Sequence, residues 1–446
     1  MPWFDFPELA FTQITLIFVS VVWLLRRNDE IPILISTLLF YVSSYRYWSV
    51  SIGIQTWIHL SSYGFNIITN ESALQALSYI VIGQICLIAT YMLRQRRVLP
   101  IVVTGTNDPF LLKWLRPKVI LVGLLFLPLV VISRSNVSAQ VQTGRSLAFE
   151  VSGYLRLLPL VLVGIATLLL CLWKLGGLSS LQSKIAAILI LIAVSFLTFN
   201  VSGRFQFLGW IIAGGIIVSS TYRPQKRLVV LAIIGIIGIA IFTVAGALRN
   251  AEFASNGFEQ SALDRALSAE DANMLDGFVF VQDVYPQRLD YRWGMEHIEI
   301  LLRPIPRALW PEKPAGGGYM EAFGLSDRNK GTTVGFSPTL FGSFYADFGI
   351  VGIFLFSCLY GWIFGSIILY SSRLQPFASI LIRAILCSCL IPLLRGGDLP
   401  GIYAWIGMSF WPCFLLLWMK RKNFILRLPS STRVYSPGNI PNVRHP

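Results

Sequence analysis

One short polar segment of the chain, residues 303–314, combines cations with prolines and reads RPIPRALWPEKP. It contains Arg303, Arg307 and Lys313 among four prolines. Each proline fixes its own φ angle and biases the preceding residue toward extended backbone, so the segment is stiff. Cations held on stiff backbone are suited to bind an anionic group that is itself held in place.

Arginines also lie at the borders of apolar stretches that are far apart in the sequence: Arg156, Arg204, Arg249 and Arg395. Arg204 is the most constrained of them, because a turn of only a few residues (NVSGR) joins the two stretches around it. A guanidinium is planar, stays charged and can bind two phosphate oxygens at once. We predict that these arginines, together with Arg303, Arg307 and Lys313, bind a phosphate or pyrophosphate. The alternative for each is a cation that meets lipid headgroups.

Acid–base chemistry is concentrated just before this segment, in Glu296, His297 and Glu299. Glu299 stands four residues before Arg303, and such a pair commonly forms a helix-stabilising salt bridge. Glu296 has no comparable cation one turn later, and His297 is the only histidine in the long polar part of the chain. Since imidazole titrates near neutral pH, we predict a catalytic base among these three residues, with a purely structural role as the alternative.

Aromatic side chains in the same part of the chain include Trp293, Trp310 and Tyr345. Flat rings present an apolar face with a polar edge, so we predict these three as sugar-binding residues. Anchoring in the interfacial region of a membrane explains such tryptophans and tyrosines equally well.

The elements that must position these residues are membrane helices. Of the 446 residues, 55% are hydrophobic and 13% are charged, and this composition indicates a polytopic helical membrane protein. We predict an all-α fold with about 11 transmembrane helices. They fall near residues 9–25, 31–49, 74–93, 118–133, 154–173, 185–200, 205–221, 228–246, 338–370, 378–394 and 401–419.

Basic residues are gathered on every second connection between the predicted helices, for example at 26–27, 223–227 and 420–422. The positive-inside rule then places the N-terminus outside and the C-terminus inside the cell. The net charge of +14 is mostly explained by these clusters. It does not indicate nucleic-acid binding, because no basic cytoplasmic domain is predicted.

This topology divides the chain into four parts. Helices 1–8 occupy residues 1–246, a long outer (periplasmic) loop occupies 247–337, helices 9–11 occupy 338–422, and a disordered cytoplasmic tail occupies 423–446. In the loop, residues 262–274 and 293–302 have helical composition, whereas 276–292 are mixed. Because apolar residues in this loop are too sparse for a separate core, we predict amphipathic helices that lie over the outer face of the membrane.

Ionisable residues are nearly absent from the predicted spans, and Arg46 and Arg383 lie near span ends, where their side chains can reach the headgroups. An ion-coupled transporter typically has such residues near the middle of the membrane, so this pattern argues against one. The six cysteines lie inside predicted spans and the three histidines are far apart. We therefore expect no disulfide, no metal site and no cofactor.

These motifs together resemble the bacterial Wzy-type oligosaccharide repeat-unit polymerases, also called O-antigen polymerases. The matching pieces are SGR at 202–204, PRALWPEKP at 306–314, the segment from SPT at 337–339 to YADFGI at 345–350, and LRGGD at 394–398. The resemblance covers roughly residues 195–400, and the run at 306–314 is its most specific piece. The chain departs from the family in its odd number of spans and in having one large outer loop where two are usual.

The resemblance implies a membrane glycosyltransferase of the GT-C type in the bacterial inner membrane. Such an enzyme moves a growing glycan from undecaprenyl pyrophosphate to a new lipid-linked repeat unit during polysaccharide and lipopolysaccharide biosynthesis. Its implied partners are undecaprenyl-pyrophosphate-linked glycans, membrane lipids, and a flippase and a chain-length regulator of the same pathway. The arginines suit this reaction, because fixed guanidinium groups stabilise the charge that develops on a pyrophosphate leaving group.

Three other functions fit parts of the sequence. An O-antigen ligase of similar architecture transfers the chain to a lipid A core, and only the run at 306–314 favours the polymerase over it. A transporter or flippase of lipid-linked oligosaccharides needs a polar path through the membrane, which the predicted spans do not offer. A non-catalytic assembly partner would hold lipid-linked glycan without turnover.

Overall fold

The computed structural model describes residues 7–61, 64–96, 109–142, 158–198, 204–253, 273–303, 305, 309–310, 326–327, 332–333 and 337–424. Within these residues the regular structure is helical, apart from a short antiparallel ladder of β1 (Ser326–Asp327) with β2 (Thr332–Thr333). Helices are the expected solution for an apolar chain of this kind, because each satisfies its backbone hydrogen bonds internally in hydrocarbon.

The helices of the described residues are numbered in chain order. They are α1 Pro7–Arg27, α2 Ile31–Phe40, α3 Arg46–Ser51, α4 Asn70–Gln95, α5 Pro109–Gln142, α6 Val161–Lys174, α7 Leu181–Thr198, α8 Arg204–Ser219, α9 Pro224–Phe253, α10 Met274–Val284, α11 Met295–Leu302, α12 Thr339–Ser371, α13 Pro376–Arg395, α14 Leu399–Met419 and α15 Arg421–Phe424. A π-helical turn, Tyr41–Tyr45, joins α2 to α3, and a 3₁₀ turn, Leu158–Leu160, precedes α6.

The described part of every predicted span is helical, apart from the end residues Ser220, Thr221 and Pro338 and the kink at Phe348 and Gly349. Six helices among the described residues are both long and apolar enough to cross a membrane, which supports a membrane-embedded protein. They are Glu8–Arg27, Asn70–Gln95, Pro224–Ile241, Thr339–Ser371, Pro376–Arg395 and Leu399–Met419. The apolar helices α6, α7 and α8 are shorter.

Helix α13 lies at the centre of the bundle. It packs against α8, α12 and α6, and 94% of the residues in its most apolar stretch are buried inside the protein. Its sequence explains this position, because apolar residues occur on all sides of the helix rather than in one stripe. Helix α12 packs along α4, and α14 packs along α6, so the central helix is enclosed.

Helix α10 was not predicted, and its position differs from that expected for a helix on the membrane surface. Residues 274–284 belong to the part of the loop whose composition is mixed, yet Leu275, Phe278 and Val281 are fully buried. The helix packs against α12 and α4 inside the bundle. The run of apolar residues in MLDGFVFVQDV explains this burial, so this part of the loop contributes to the core. Most of the predicted helix at 262–274 lies outside the described residues.

Candidate functional site

Helix α11 turns its acidic side chains inward and its apolar side chains outward. Glu296 and Glu299 are buried, whereas Ile298 is 46% exposed and Leu301 is 79% exposed. The buried side of the helix packs against α14 and α12. A helix on the surface of a soluble protein has the opposite arrangement, so the exposed apolar face of α11 is suited to contact lipid.

Glu296 is held by groups from three parts of the chain. Its Oε1 accepts hydrogen bonds from the hydroxyl of Ser343 at 3.2 Å and from the backbone N–H of Leu399 at 3.3 Å. Its Oε2 lies 3.4 Å from the guanidinium of Arg292. The carboxyl group therefore joins α11 to the start of α12 and to the start of α14.

The protonation of Glu296 is sensitive to pH near neutrality. Burial raises the pKa of Glu296 to about 7; the Arg292 guanidinium opposes the rise, and the nearby Asp347 and Asp398 carboxylates add to it. A carboxyl group with such a pKa can both take up and release a proton at physiological pH, as general acid–base catalysis requires.

Arg292 is the cation that pairs with both glutamates of α11. Its guanidinium binds Oε1 of Glu299 at 2.7 Å and also lies near Glu296, four residues later. Glu296 therefore has a local cation, and Glu299 forms an ion pair with Arg292, a cation that had not been predicted from the sequence. Arg303, the partner predicted for Glu299, donates its backbone N–H to the carbonyl of Glu299.

His297 forms a pair with Asp347. Nδ1 of His297 lies 2.8 Å from Oδ2 of Asp347, which is fully buried. In a neutral imidazole, the nitrogen that faces an ionised carboxylate is the one that carries the proton, so this contact assigns the proton to Nδ1 and the lone pair to Nε2. Nε2 is buried and makes no hydrogen bond to the described part of the chain. The ring stacks on Phe356 with centroids 4.0 Å apart, which fixes its plane.

A kink in α12 places Asp347 opposite α11. The helix is interrupted at Phe348 and Gly349, and Gly349 has a φ of 62°, a conformation that glycine adopts without strain. A β-carbon at Gly349 would also stand 2.7 Å from the hydroxyl of Tyr291. The interruption frees the carbonyl of Asp347, which accepts the backbone N–H of Trp293 at 3.0 Å.

The C-terminal end of α13 lies next to the start of α12. Gly396, with a φ of 71°, forms a β-bridge with Thr339 at the start of α12, and a β-carbon there would collide with the Thr339 backbone. Only glycine permits this approach. Arg395, the last residue of α13, therefore lies next to the start of α12, a few residues before the Leu399 N–H that binds Glu296.

The structure describes the side chains of only some of the predicted phosphate-binding residues. Arg395 lies beside the Glu296 site, and Arg303 lies at the C-terminal end of α11. Only the backbone of Arg204, at the start of α8, and of Arg249, near the end of α9, is described. Arg156, Arg307 and Lys313 lie outside the described residues.

The predicted sugar-binding aromatics occupy different surroundings. Trp293 is 67% exposed, with its ring edge-on to Phe348. Tyr345 stacks on Tyr79 with centroids 5.8 Å apart and is partly buried. Trp310 is partly buried.

No family model, curated protein or solved structure matches this chain. Its function is therefore inferred from its own side chains. Four residues of the site were not among those predicted from the sequence: Arg292, Ser343, Asp347 and Asp398. Arg292 has a detectable signal, because a cation four residues before Glu296 and seven before Glu299 would share a face with them in a continuous helix. In the structure Arg292 precedes α11, and Trp293 and Gly294, which have positive φ, separate it from the helix. In the part of the chain that is described, no group of three His, Cys, Asp or Glu side chains is arranged to hold a metal ion.

Two sets of buried ion pairs correct the expectation that Arg46 and Arg383 reach lipid headgroups. Arg46 is buried and binds both carboxylate oxygens of Asp276 in α10, at 3.2 and 2.7 Å. Arg383 is buried in α13 and binds Glu30, which also pairs with Arg227 at 2.9 Å. In both sets the charges are neutralised inside the bundle, because a lone buried charge is far more costly than a paired one.

Proposed function

We propose that this chain is a membrane glycosyltransferase that polymerises glycan repeat units linked to a lipid pyrophosphate. The observation that supports it is the His297–Asp347 pair next to the buried carboxyl of Glu296, at the end of α13 where Arg395 lies. A base oriented by a carboxylate, beside a group that titrates near neutral pH and an arginine, provides the functions that glycosyl transfer from a pyrophosphate needs.

The proposed setting is the bacterial inner membrane, with about 11 transmembrane helices. The basic clusters on alternate connections favour a periplasmic N-terminus and a cytoplasmic C-terminus. Helix α11 and the site around Glu296 then lie on the periplasmic side, where the lipid-linked repeat units would be joined.

The proposed reaction is a displacement at the anomeric carbon of the donor glycan. A sugar hydroxyl of the new lipid-linked unit attacks this carbon, a C–O bond forms, and the bond to the undecaprenyl pyrophosphate breaks. The hydroxyl proton passes to Nε2 of His297, whose lone pair is left available by the hydrogen bond between Nδ1 and Asp347. The electron pair of the broken bond stays on the pyrophosphate oxygen.

Arginines would stabilise the charge that grows on this leaving group. Arg395 ends α13, four residues before the Leu399 N–H that binds Glu296, and Arg303 follows the last residue of α11, about two turns beyond Glu296. Guanidinium groups that are already in place require no reorganisation when the charge develops, which lowers the barrier. In this proposal Asp347 and Glu296 are positioning groups: Asp347 fixes the imidazole, and Glu296 joins α11 to α12 and α14.

The outward apolar face of α11 favours a lipid-linked substrate over a soluble one. With Ile298 and Leu301 toward lipid, the carboxylates on the opposite side of the helix lie at the membrane interface. A sugar attached to a membrane lipid through pyrophosphate is confined to that depth, which supplies proximity between donor, acceptor and base.

Deletion of the gene tests this function against its alternatives. Loss of a polymerase leaves single repeat units attached to the cell surface. Long chains stranded on the lipid carrier would identify a ligase instead, and units trapped facing the cytoplasm would identify a flippase. Complementation with the Asp290→Asn variant, changed at an exposed residue outside α11 and α12, serves as the control.

A further inference from the structure

An apolar groove, defined here by Leu38, Val42, Leu208, Ile212, Gly235 and Ile391, opens between α2, α8, α9 and α13. It encloses about 310 Å³. Its lining is almost wholly hydrocarbon, and the hydroxyl of Thr37, which also lines it, donates to the carbonyl of Ile33 in its own helix. Apart from Tyr41 and Thr37 the lining side chains are apolar, so the groove is suited to a hydrocarbon chain.

One end of the groove lies near the buried ion pairs of Glu30 with Arg227 and Arg383. Two of its lining residues show this, because Ile33 is three residues after Glu30 and Leu228 directly follows Arg227. Arg395 is twelve residues beyond Arg383 on α13, which at the helical rise is roughly 18 Å, more than half of the ~30 Å hydrocarbon core. On α9 the groove lining runs from Leu228 to Ile239, which at the helical rise is roughly 16 Å, so the groove is long enough to hold part of an extended chain.

The other end of the groove reaches the level of the predicted phosphate-binding arginines. Ile391 lies one helical turn before Arg395, and Leu208 lies one turn after Arg204, the first residue of α8. Beyond Arg395, the chain passes through Gly396 to the backbone N–H that binds Glu296. A molecule with a long apolar tail and an anionic head would place its head next to the candidate site.

We propose that this groove binds the polyprenyl chain of a lipid-linked phosphate substrate, with the phosphate at the level of Arg395. The inference rests on the proposed function and assigns the substrate tail to a site. The position of Ile391, one turn before Arg395, favours a polyprenyl phosphate over an ordinary phospholipid, because the head of this ligand then lies near the Glu296 site rather than in the bulk headgroup layer.

The test uses the full-length protein in phosphatidylethanolamine–phosphatidylglycerol vesicles with a polyprenyl monophosphate that has a diazirine within its chain. Irradiation is expected to label peptides from Ile31–Phe40 and Pro224–Phe253. Unlabelled polyprenyl phosphate should suppress this labelling, and additional phospholipid should not. Labelling that maps elsewhere, or that added phospholipid suppresses equally well, would overturn the proposal.

A groove-filling variant sharpens the test. A β-carbon at Gly235 would meet open space, so Gly235→Trp fills the groove without a backbone collision and should lower labelling by roughly tenfold. Ile233→Trp, at an exposed residue on the same helix that does not line the groove, is the matched control and should label as the wild type does. Equal labelling of the two variants would overturn the proposal.

Glycan polymerisation measured in the same vesicles separates the two proposals. If polymer forms but labelling maps outside the groove, the groove proposal is wrong and the function stands. If labelling maps to the groove but the chain forms no polymer, the proposed function is wrong and the groove remains a polyprenyl site.

Discussion

Nδ1 of His297, on a short helix, lies 2.8 Å from Oδ2 of Asp347, which is fully buried at the kink of a long membrane helix. The kink at Gly349 and the backbone hydrogen bond from Trp293 to Asp347 hold the two helices in this relation. The pair thus combines an oriented imidazole with a fixed carboxylate, and it determines which ring nitrogen can accept a proton.

Replacing Asp347 by asparagine should reduce glycan polymerisation by about 10²–10⁴-fold. The amide can donate to Nδ1, which would move the ring proton to Nε2 and remove the lone pair that the reaction needs. The measurement is the initial rate in vesicles, normalised to the folded protein recovered by size exclusion. The control variant Asp290→Asn should keep the wild-type rate of polymerisation. A rate for D347N within a few-fold of the wild-type rate would contradict the role of Asp347 in orienting the base.

Protein stability should fall as pH rises, and Glu296 should be the cause. The folded protein holds the Glu296 proton with a pKa of about 7, well above the ordinary value of 4.5. The contribution of this proton to the stability of the folded state is therefore fully present below pH 4.5, and it is lost as pH rises through about 7. Since one pKa unit corresponds to about 1.4 kcal/mol, the full effect is a few kcal/mol.

The Glu296→Gln variant checks this assignment, because its amide resembles the protonated acid and does not titrate. Thermal unfolding in detergent should show a Tm that declines between about pH 5 and pH 7 for the wild type and a weaker decline for the variant. Parallel curves for the two proteins would show that another group is responsible.

The sequence predicts the positions of the long apolar helices well and predicts their contacts poorly. The helix Thr339–Ser371 was expected at 338–370, because a long apolar run in a membrane has no other stable structure. By contrast, Arg46 and Asp276 are 230 positions apart, and nothing local indicates that they pair. The His297–Asp347 contact depends on the kink at Gly349, which composition does not reveal. Arg292 could have been found from its spacing to Glu296 and Glu299.

Breaking the buried ion pairs at the base of the groove should destabilise the protein. Arg383→Met removes one of the two cations bound to Glu30 and should lower the free energy of unfolding by about 3 kcal/mol, because the remaining charges stay buried. The midpoint of thermal unfolding in detergent and the yield of monodisperse protein measure the effect. Arg373→Met, at an exposed arginine, provides the control. An unchanged midpoint for R383M would contradict a buried pair.

The exposed face of α11 should contact lipid. A nitroxide attached at Leu301→Cys is expected to be reached by oxygen more readily than by a water-soluble nickel chelate, since oxygen concentrates in hydrocarbon. A label at Asp290→Cys, also exposed, should show the reverse preference. If both labels prefer the chelate, α11 lies in water and the site is not at the membrane interface.

The most direct test of the central claim is polymer formation by the purified protein. Lipid-linked repeat units from the deletion strain are added to vesicles that contain either the wild type or His297→Gln, and the products are separated by length. The account predicts a ladder of polymers on the lipid carrier for the wild type and single units for the variant. Single units with the wild type, or a full ladder with H297Q, would contradict it.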